Sequence, residues 1–417
     1  MDVIHVEGNG PLQGEVTIQG SKNAVLPILA ATILIEGVCC LKNCPHISDV
    51  ECMLNLLESV GCRICRDKDS LKVDASNLKE TRLPKELVSS MRSSIILLAP
   101  LLSRCKEATL NYPGGCVIGE RPIDIHLYLL KKLGAVFTSE EDFLKGRLKD
   151  FSGTTVHLTF PSVGATENGI LAGVLAKGRT VLMNCAKEPE VRQLCQFLNS
   201  AGAKIDGIGT ECLTIEGVER LYPVTYTIEA DRIVAGTYLF SAVATRGRIG
   251  ILNAPIADME AAIAVARQMG CRIFEGSNCL EVWQPDRPTA VKKVKTMVYP
   301  GFPTDLQSVL LTTLSVSKGE SVVEETIFSN RFKIVGELSR MGADIKTEGN
   351  CAYICGKNNL HAASLLAEDL RGGAALVLAG ICAHGESFIG NSHFIERGYE
   401  DICRDFRMLG ATIEKMR

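Results

Sequence analysis

A five-residue pattern recurs six times along this chain of 417 residues. Each copy consists of a hydrophobic residue, a glycine, a small residue, any residue and a second hydrophobic residue. The copies occupy 60–64, 133–137, 201–205, 269–273, 341–345 and 409–413. Counted from glycine to glycine, neighbouring copies are separated by 68 to 73 residues. Such an even spacing over the whole length predicts a repeat architecture.

The segments between these copies share one plan. An apolar helical run is followed by a short β-like stretch, a polar linker and a second helix, which the glycine of the pattern ends. The apolar runs that predict first helices are 24–37, 170–178, 233–247, 306–319 and 374–385. The pattern then continues into a strand, and a further strand usually follows. Strands that alternate with helices predict an α/β protein of β-α-β-α-β-β units.

The second copy differs from the others by an insertion of about four residues. The segment 112–124 contains three glycines together with Cys116 and Arg121. Because glycine adopts backbone angles that other residues avoid, this segment is predicted to be mobile. A structural cysteine is the alternative at Cys116, but no apolar periodicity surrounds it. A glycine-rich insertion with a thiol and an arginine indicates an active-site lid.

Composition excludes several classes of protein. The net charge of −3 argues against a general nucleic-acid surface. The N-terminus shows no basic and then apolar export signal, and the most apolar run, 95–102, is too short to cross a bilayer. Seventeen cysteines without a regular framework indicate a reducing compartment. The sequence therefore predicts a cytoplasmic protein of two domains that binds neither nucleic acid nor membrane.

One cysteine pair has the spacing of half a zinc site, namely Cys62 and Cys65. Cys62, however, occupies the small-residue position of the repeated pattern, which is alanine in four other copies. No metal site is predicted.

Cations recur at the starts of the predicted first helices. The residues at equivalent positions are Lys22, Arg92, Arg232, Asp305 and Arg371. Ordinary capping by Ser, Thr and Asp explains part of the polar composition there. It does not explain the cations, which oppose the helix dipole unless an anion is also bound. A ligand with several negative charges is therefore expected at these helix starts.

Asp305 is the exception in this set, a lone carboxylate that follows the segment 302–304. At a helix start it is expected to be ionised, so it would be a weak general base for a hydroxyl group. Cys116, close in sequence to Arg121, is a candidate acid or nucleophile. The residues alone thus predict acid–base addition chemistry on anionic substrates.

Four segments of the chain carry a resemblance to a known family. Segment 20–31 reads Gly-Ser-Lys-Asn and continues into an apolar helix, and 113–124 reads Pro-Gly-Gly-Cys-Val-Ile-Gly-Glu-Arg-Pro-Ile-Asp. Phe-Pro-Thr-Asp follows at 302–305, and Glu-Arg-Gly-Tyr-Glu at 396–400. In this order they closely resemble the UDP-N-acetylglucosamine 1-carboxyvinyltransferases of the enolpyruvyl transferase family. The resemblance covers almost the whole chain.

The resemblance implies an activity and the residues that perform it. The reaction would transfer enolpyruvyl from phosphoenolpyruvate to the 3-hydroxyl of UDP-N-acetylglucosamine and release phosphate, the first committed step of peptidoglycan synthesis. Cys116 would protonate the methylene carbon and can form a covalent phospholactoyl adduct, and Asp305 would take the hydroxyl proton. Lys22, Arg121 and Arg397 would hold the phosphate and the carboxylate. The residues implied around them, at the UDP-sugar site and in the charged cleft, are Asn23, Arg92, Arg121, Pro122, Ile123, Asp124, Ile125, Ser162, Val163, Gly164, Asp305, Ile327, Arg331, Asp369 and Arg371.

The same resemblance implies the fold, an inside-out α/β barrel of two domains. Each domain would contain three β-α-β-α-β-β units with helices inside and sheets outside. Residues 21–229 would form the first domain, and 1–20 with 230–417 the second, because the N-terminal strand pairs back. The helix starts of both would face one cleft, which sugar binding would close over the loop of Cys116. No cofactor and no metal are expected, and the protein is expected to be a monomer.

Two alternatives to this function stay open. A 5-enolpyruvylshikimate-3-phosphate synthase shares the fold and the donor, but it lacks a thiol loop and its helix start differs from Lys22-Asn23. A catalytically silent UDP-sugar-binding paralogue would keep the site without turnover, although all the proposed catalytic residues are present in this chain. A turnover assay with each acceptor distinguishes the three cases.

Overall fold

The structure is a computed structural model that describes residues 2–8, 10–67, 70–114, 123–140 and 142–416. Packing divides these residues into two compact units. The first unit contains the described residues of 20–229, and the second contains those of 2–19 and 230–416. Each unit holds three of the six copies of the repeated pattern.

Helices and strands alternate along both units. The α-helices are α1 (Lys22–Thr32), α2 (Ser48–Ser59), α3 (Lys85–Ser90), α4 (Leu98–Cys105), α5 (Asp124–Lys132), α6 (Val163–Gly173), α7 (Pro189–Ser200), α8 (Arg232–Thr245), α9 (Glu260–Gln268), α10 (Gln307–Ser315), α11 (Ile334–Arg340), α12 (Leu370–Cys382) and α13 (Ile402–Met408). Short 3-10 helices lie at Arg92–Leu97, Ile256–Asp258, Thr304–Leu306, Arg331–Lys333 and Ser392–Arg397. Within the described ranges, no helix combines the length and the apolar character that crossing a bilayer requires.

The strands are short and fall into the same repeats. They are β1 (Val3–Gly8), β2 (Gln13–Thr17), β3 (Val38–Lys42), β4 (Arg63–Arg66), β5 (Ser70–Asp74), β6 (Glu107–Asn111), β7 (Val136–Ser139), β8 (Phe143–Arg147), β9 (Thr155–His157), β10 (Arg179–Met183), β11 (Lys204–Asp206), β12 (Cys212–Glu216), β13 (Thr225–Thr227), β14 (Arg248–Leu252), β15 (Arg272–Glu275), β16 (Cys279–Trp283), β17 (Lys293–Lys295), β18 (Glu320–Glu324), β19 (Asp344–Glu348), β20 (Cys351–Cys355), β21 (Leu360–His361), β22 (Ser364–Leu366), β23 (Ala383–Gly390) and β24 (Thr412–Met416).

Each repeat is associated with one sheet, and the sheets share a topology. In the third repeat, β10 follows the apolar helix and lies in the middle of its sheet. It pairs antiparallel with β12 on one side and parallel with β9 on the other, and β11 completes the hairpin at the edge. The other sheets are ordered β13-β3-β5-β4, β6-β8-β7, β2-β14-β16-β15, β17-β18-β20-β19 and β21-β23-β1-β24, with β22 also paired to β23.

The N-terminal strands complete two sheets of the second unit. β1 pairs antiparallel with β23, from Val3↔Gly390 to Gly8↔Gly385, and with β24 on its other side. β2 pairs parallel with β14. In the first unit, β13 from the end of the third repeat pairs parallel with β3 of the first repeat. The return of the N-terminal strand to the second half of the chain, which the resemblance implies, is thus observed.

The glycine of the repeated pattern ends the second helix of every repeat, as predicted. Each glycine follows the C-cap residue and has a positive φ, in a region that residues with a Cβ atom avoid. After α2, Val60 is the C-cap and Gly61 has a φ of 106°. The other five glycines are Gly134 (112°), Gly202 (100°), Gly270 (92°), Gly342 (88°) and Gly410 (85°). This conformation turns the chain out of the helix and into the next strand.

All five predicted ends of the first helices are too late, since α1, α6 and α10 end at Thr32, Gly173 and Ser315 rather than at Gly37, Gly178 and Gly319. The run 233–247 predicts an end at Gly247, but Arg246 takes the left-handed conformation at the C-cap of α8, with a φ of 59°. The run 374–385 predicts one helix, but α12 ends at Cys382 and Ala383 is already extended. The helix stops there because β23 begins, and its backbone pairs first with β21 and then with β1. Gly385, the predicted helix end, therefore lies inside a strand.

The apolar first helices form the interior of each unit. In the second unit α8, α10 and α12 pack against one another, and every residue from 233 to 245 in α8 is buried. The surrounding strands bury alternate residues, as in β18, where Ser321 and Val323 are buried and Glu320 is exposed. In the first unit α1 and α6 are almost entirely buried. The prediction of an α/β fold with helices inside and sheets outside is confirmed.

Candidate active site

Three predicted site residues, Cys116, Arg121 and Pro122, lie outside the residues that the structure describes. The segment resumes at Ile123, and α5 begins at Asp124. Asp124 is exposed, whereas Ile123 and Ile125 are half-buried. A carboxylate in the first turn suits the positive end of the helix dipole. The predicted UDP-sugar residues 123–125 are therefore placed at a helix start.

Lys22 forms an ion pair that no sequence pattern predicts. It is the first residue of α1, after the N-cap Ser21, whose Oγ accepts a hydrogen bond from the Ala24 amide at 3.4 Å. The Lys22 Nζ atom lies 2.6 Å from Oδ2 of Asp49 in the first turn of α2, and the two side chains are 11% and 7% exposed. Asn23, next to Lys22, is half-buried. Because burial weakens solvent screening, Asp49 holds the ammonium group firmly at the helix start.

Arg92 contacts the backbone that leads into the segment of Cys116. It begins the 3-10 helix Arg92–Leu97 and is half-buried. Its Nη1 atom donates a hydrogen bond to the carbonyl oxygen of Pro113 at 3.4 Å. The guanidinium group is thereby tied to the chain three residues before the candidate thiol.

A buried histidine, His126, connects several candidate substrate segments, and no sequence pattern points to it. Its Nδ1 atom lies 2.8 Å from Nδ2 of Asn168 in α6. Asn168 also accepts from the Ala99 amide at 3.3 Å and donates to the Ile95 carbonyl at 3.2 Å. Burial, together with the positive charge of Arg92, lowers the pKa of His126 to about 3. The ring is therefore neutral at physiological pH, so Nδ1 accepts from Asn168 and Nε2 carries the hydrogen.

Ser162, Val163 and Gly164 form the start of α6, where free amide groups can bind an anion. Ser162 is the N-cap, and its Oγ atom accepts a hydrogen bond from the Ala165 amide at 3.4 Å. Gly164 packs on His126, since a Cβ atom built at this glycine would lie 3.0 Å from Cε1 of the ring. Glycine at this position lets the histidine and the helix start approach closely.

Asp305 is not the lone carboxylate that the sequence predicts. It lies in the 3-10 helix Thr304–Leu306 and bonds to two arginines. Its Oδ1 accepts from Nη2 of Arg331, and its Oδ2 accepts from Nη2 of Arg371 at 3.1 Å. The Arg331 and Arg371 side chains are 4% and 5% exposed, whereas that of Asp305 is 24% exposed. The carboxylate thus keeps some access to solvent while the two cations that hold it are buried.

Within this trio of Asp305, Arg331 and Arg371, the carboxylate keeps the Arg371 guanidinium protonated. Burial alone would lower the pKa of Arg371, but the charge of Asp305, with smaller contributions from Tyr399 and Asp231, outweighs it and the pKa of Arg371 is raised. The Nη1 atom of Arg371 is buried without a hydrogen-bond partner among the described residues. The trio has a net positive charge, so it can attract an anion.

Asp369 is predicted to lie in the charged cleft, and in the structure it also caps a helix. Its Oδ1 atom accepts hydrogen bonds from the amides of Arg371 and Gly372, at 2.9 and 3.0 Å. These bonds cap the N-terminus of α12. Through the cap, Asp369 fixes the backbone from which Arg371 reaches Asp305.

Arg397 and Ile327 are both half-buried, in separate segments of the second unit. Arg397 ends the 3-10 helix Ser392–Arg397. The next residues are anchored by Gln19, whose side chain donates to the Gly398 carbonyl at 3.2 Å and accepts from the Glu400 amide at 2.9 Å. Ile327 lies in the turn after β18.

No group of His, Cys, Asp and Glu side chains in the described part of the chain is arranged to hold a metal ion.

Comparisons with known proteins agree with this fold. The family model of EPSP synthase (3-phosphoshikimate 1-carboxyvinyltransferase) matches residues 6–406. The solved structures that are similar include the enolpyruvyl transferase NikO from Streptomyces tendae, with a TM-score of 0.90, 23% identity and coverage of 99% of this chain and 98% of that one. EPSP synthase from Acinetobacter baumannii has a TM-score of 0.77 at 17% identity, with both chains covered completely.

Curated relatives are more similar in sequence. UDP-N-acetylglucosamine 1-carboxyvinyltransferase 2 of Caldanaerobacter subterraneus subsp. tengcongensis is 46% identical over 416 residues, and the enzyme of Desulfatibacillum aliphaticivorans is 43% identical over 417 residues, each with 100% of both chains covered. The chain belongs to the EPSP synthase family of enolpyruvyl transferases. Within that family its full-length relatives place it among the UDP-N-acetylglucosamine 1-carboxyvinyltransferases, and it is an enzyme.

Proposed function

We propose that this chain transfers enolpyruvyl from phosphoenolpyruvate to the 3-hydroxyl of UDP-N-acetylglucosamine and releases phosphate, the first committed step of peptidoglycan synthesis. The observation that carries the proposal is the identity of 42 to 46% over the full length of relatives named for this reaction. The trio of Asp305, Arg331 and Arg371 supports it, because both substrates are anionic and the acceptor must lose a proton.

The transfer consists of an addition followed by an elimination. In the addition, the 3-hydroxyl oxygen bonds to C2 of phosphoenolpyruvate, its proton passes to Asp305, and Cys116 gives a proton to the methylene carbon. In the elimination, that carbon returns a proton to the Cys116 thiolate, Asp305 passes its proton to the departing phosphate, and the bond from C2 to the phosphate oxygen breaks. The double bond is restored and inorganic phosphate leaves. One carboxylate and one thiol provide the acceptor and the donor that the addition requires.

We assign the phosphate and the carboxylate of phosphoenolpyruvate to Lys22, Arg121 and Arg397, with Asn23 nearby. Hydrogen bonds between charged groups are about twice as strong as neutral ones, so several cations suit this donor. Asp49 supports the assignment of Lys22, because it holds the ammonium group at the start of α1 before any substrate is bound.

The UDP-sugar is assigned to segments of both units, and their contribution to a single active site stays a prediction. The start of α6 supports this assignment, because its free amides suit the oxygens of a nucleotide. The residues proposed to line the UDP-sugar site are Arg92, Arg121, Pro122, Ile123, Asp124, Ile125, Ser162, Val163, Gly164, Asp305 and Ile327, with Arg331, Asp369 and Arg371 around them.

We further propose that the enzyme acts in the cytoplasm as a monomer and without a cofactor. All sixteen cysteines in the described residues are free thiols, which fits a reducing compartment. The reaction moves protons and one carbon–oxygen bond but changes no oxidation state, so it needs no redox group. The product would enter cell-wall synthesis and thereby affect cell shape and division.

Phosphate release tests the reaction. Phosphoenolpyruvate is incubated with the enzyme alone, with UDP-N-acetylglucosamine and with shikimate 3-phosphate. We expect release only with the UDP-sugar. Release only with shikimate 3-phosphate would replace the proposal with the EPSP synthase reaction. Tight binding of the UDP-sugar without any release would identify a silent paralogue.

Treatment with fosfomycin, a thiol-alkylating epoxide, tests the role of Cys116. We expect alkylation of Cys116 and loss of turnover, and we expect Cys116→Ser to bind the UDP-sugar but lose most activity. Burial raises the pKa of Cys62, Cys185 and Cys195 to about 12, so these thiols should stay unmodified. The exposed Cys212 provides the matched control, since Cys212→Ser should remain active and fosfomycin-sensitive. Full activity of Cys116→Ser would contradict the assignment.

A further inference from the structure

The trio at Asp305 is connected to a second buried carboxylate, that of Glu325. Glu325 is only 3% exposed and directly follows β18. Its Oε2 accepts a hydrogen bond from Oγ1 of Thr304 at 2.8 Å. Its Oε1 accepts from the amide of Ile327 at 2.8 Å and from that of Phe328 at 3.1 Å. One carboxylate therefore binds both the residue before Asp305 and the turn that contains Ile327.

Thr304 extends this connection to the arginines. Its Oγ1 atom donates to Glu325 and accepts from Nε of Arg331 at 3.3 Å. Arg331 in turn donates from Nη2 to Asp305. Phe328 closes the same network, because its ring lies under the Arg331 guanidinium at 5.3 Å from centroid to Cζ. The orientation of Arg331, and through it that of Asp305, thus depends on Glu325.

Glu325 itself is held by the sheet. Its amide donates to the carbonyl of Asn350 at 2.8 Å. The next residue, Thr326, bonds to Thr296 twice, through its amide at 3.0 Å and through its Oγ1 at 2.6 Å. The carboxylate therefore projects from a fixed backbone, as a group that positions others must.

A purely structural role accounts poorly for a carboxylate at this position. Among the described residues, no Lys, Arg or His side chain contacts the Glu325 carboxylate directly. Burying a carboxyl group costs free energy of desolvation, and a well-packed apolar residue would stabilise a core without that cost. What Glu325 provides instead is three oriented acceptor bonds to two segments with proposed substrate roles.

We propose that Glu325 is a positioning residue for the transfer reaction, which orients Asp305 through Thr304 and Arg331 and orients the Ile327 turn through two amides. This inference rests on the proposed function, in which Asp305 takes the hydroxyl proton and Ile327 contacts the UDP-sugar. The two branches have separate consequences. The Thr304 branch acts on the chemical step, and the amide branch acts on binding of the sugar.

Thr304→Val tests the first branch, because it removes one hydroxyl and leaves the bonds of Glu325 to Ile327 and Phe328 in place. We expect kcat to fall about tenfold to a hundredfold, as for a misplaced catalytic group. The KM for UDP-N-acetylglucosamine should change by no more than about twofold, because uniform binding is unaffected. Thr304→Ser keeps the hydroxyl and should restore most of kcat. Glu325→Ala removes both branches, so it should lower kcat and also raise that KM.

The matched control is Thr245→Val, which removes a buried hydroxyl from the last residue of α8, where Thr245 donates a hydrogen bond to the Ser241 carbonyl. It should alter the thermal midpoint without changing kcat per folded molecule. A kcat for Thr304→Val equal to that of the wild type, or a loss that Thr304→Ser does not restore, would overturn the positioning role. Wild-type enzyme that binds but does not turn over the UDP-sugar would instead overturn the proposed function, so the two failures are distinguishable.

Discussion

At the scale of single residues, the site is built from polar side chains that are held by other polar side chains. Lys22 is fixed by Asp49, and Asp305 by two arginines. The two arginines hold the Asp305 carboxylate in one place, as its proposed role as a general base requires. Such a base suits a reaction in which the hydroxyl loses its proton only as the new carbon–oxygen bond forms.

The buried His126 leads to a prediction about how the stability of the fold depends on pH. Its pKa is about 3 in the folded chain, below the ordinary value of 6.5, because burial and Arg92 disfavour the charged ring. A depressed pKa gives stability that is fully present above about pH 6.5 and is lost as the pH falls towards 3, since the unfolded chain takes up the proton first. We expect a loss of up to ~1.4 kcal/mol per pH unit from this residue.

Urea unfolding of the wild type and His126→Asn, from about pH 7.5 to about pH 5, measures this contribution. The asparagine keeps an acceptor near Asn168 but does not titrate, so the variant should lose stability less steeply as the pH falls. His157→Asn is the control, since His157 is exposed. Equal slopes for the wild type and His126→Asn would contradict the buried, neutral histidine.

At the scale of secondary structure, the repeated glycine could be predicted because its requirement is local. A chain that leaves a helix through a positive φ needs glycine at that residue, and the six glycines have it. The end of α12 could not be predicted in this way, because pairing of β23 with distant strands decides where the helix stops. Lys106 shows the same limit of prediction from sequence, because its φ is 63° although the residue is not glycine.

Two of these glycines differ in what surrounds them, and this predicts different costs of substitution. Gly134 has a φ of 112°, and an added Cβ atom would meet nothing closer than 3.5 Å. Gly134→Ala should therefore cost only backbone strain, about 1–2 kcal/mol. Gly61 has a similar φ of 106°, but its Cβ atom would lie 2.6 Å from the carbonyl oxygen of Asn77. Gly61→Ala should cost roughly 1 kcal/mol more, because the backbone must also move.

Hydrogen exchange can compare the two substitutions, because both glycines belong to the first unit. The amides of β3 and β5 report on Gly61→Ala, and the amides of β6 and β8 report on Gly134→Ala. Wild-type chain measured in parallel sets the reference for each pair of strands. A larger loss of protection in Gly134→Ala than in Gly61→Ala would show that the contact with Asn77 does not decide the cost.

At the scale of the whole molecule, the sequence predicts the number and order of the repeats but not which strands and side chains meet. β1 and β24 are neighbours although they come from opposite ends of the chain. Their pairing follows from the family resemblance, and neither composition nor periodicity indicates it. The partners Asp49, Asn168 and Glu325 were likewise beyond prediction, since each contacts its residue through the folded arrangement of separate elements.

The N-terminal strand gives a test of this arrangement, because it should stabilise the second unit and not the first. Val6 lies in β1, is fully buried and packs near Gly380 of α12. Val6→Asp places an unpaired charge in that core and should destabilise the unit by several kcal/mol. Trp283, the single tryptophan, lies in β16 of the second unit, so its fluorescence reports unfolding there.

We expect the Trp283 transition of Val6→Asp to shift to lower urea, while amide protection in β3 and β10 of the first unit is unchanged. Glu7→Gln is the matched control, because Glu7 is exposed on the same strand and should leave the transition in place. An unshifted Trp283 transition would show that β1 adds little to its sheet. Equal loss of protection in both units would show that they unfold together, in which case the N-terminal strand stabilises the whole chain rather than the three repeats it completes.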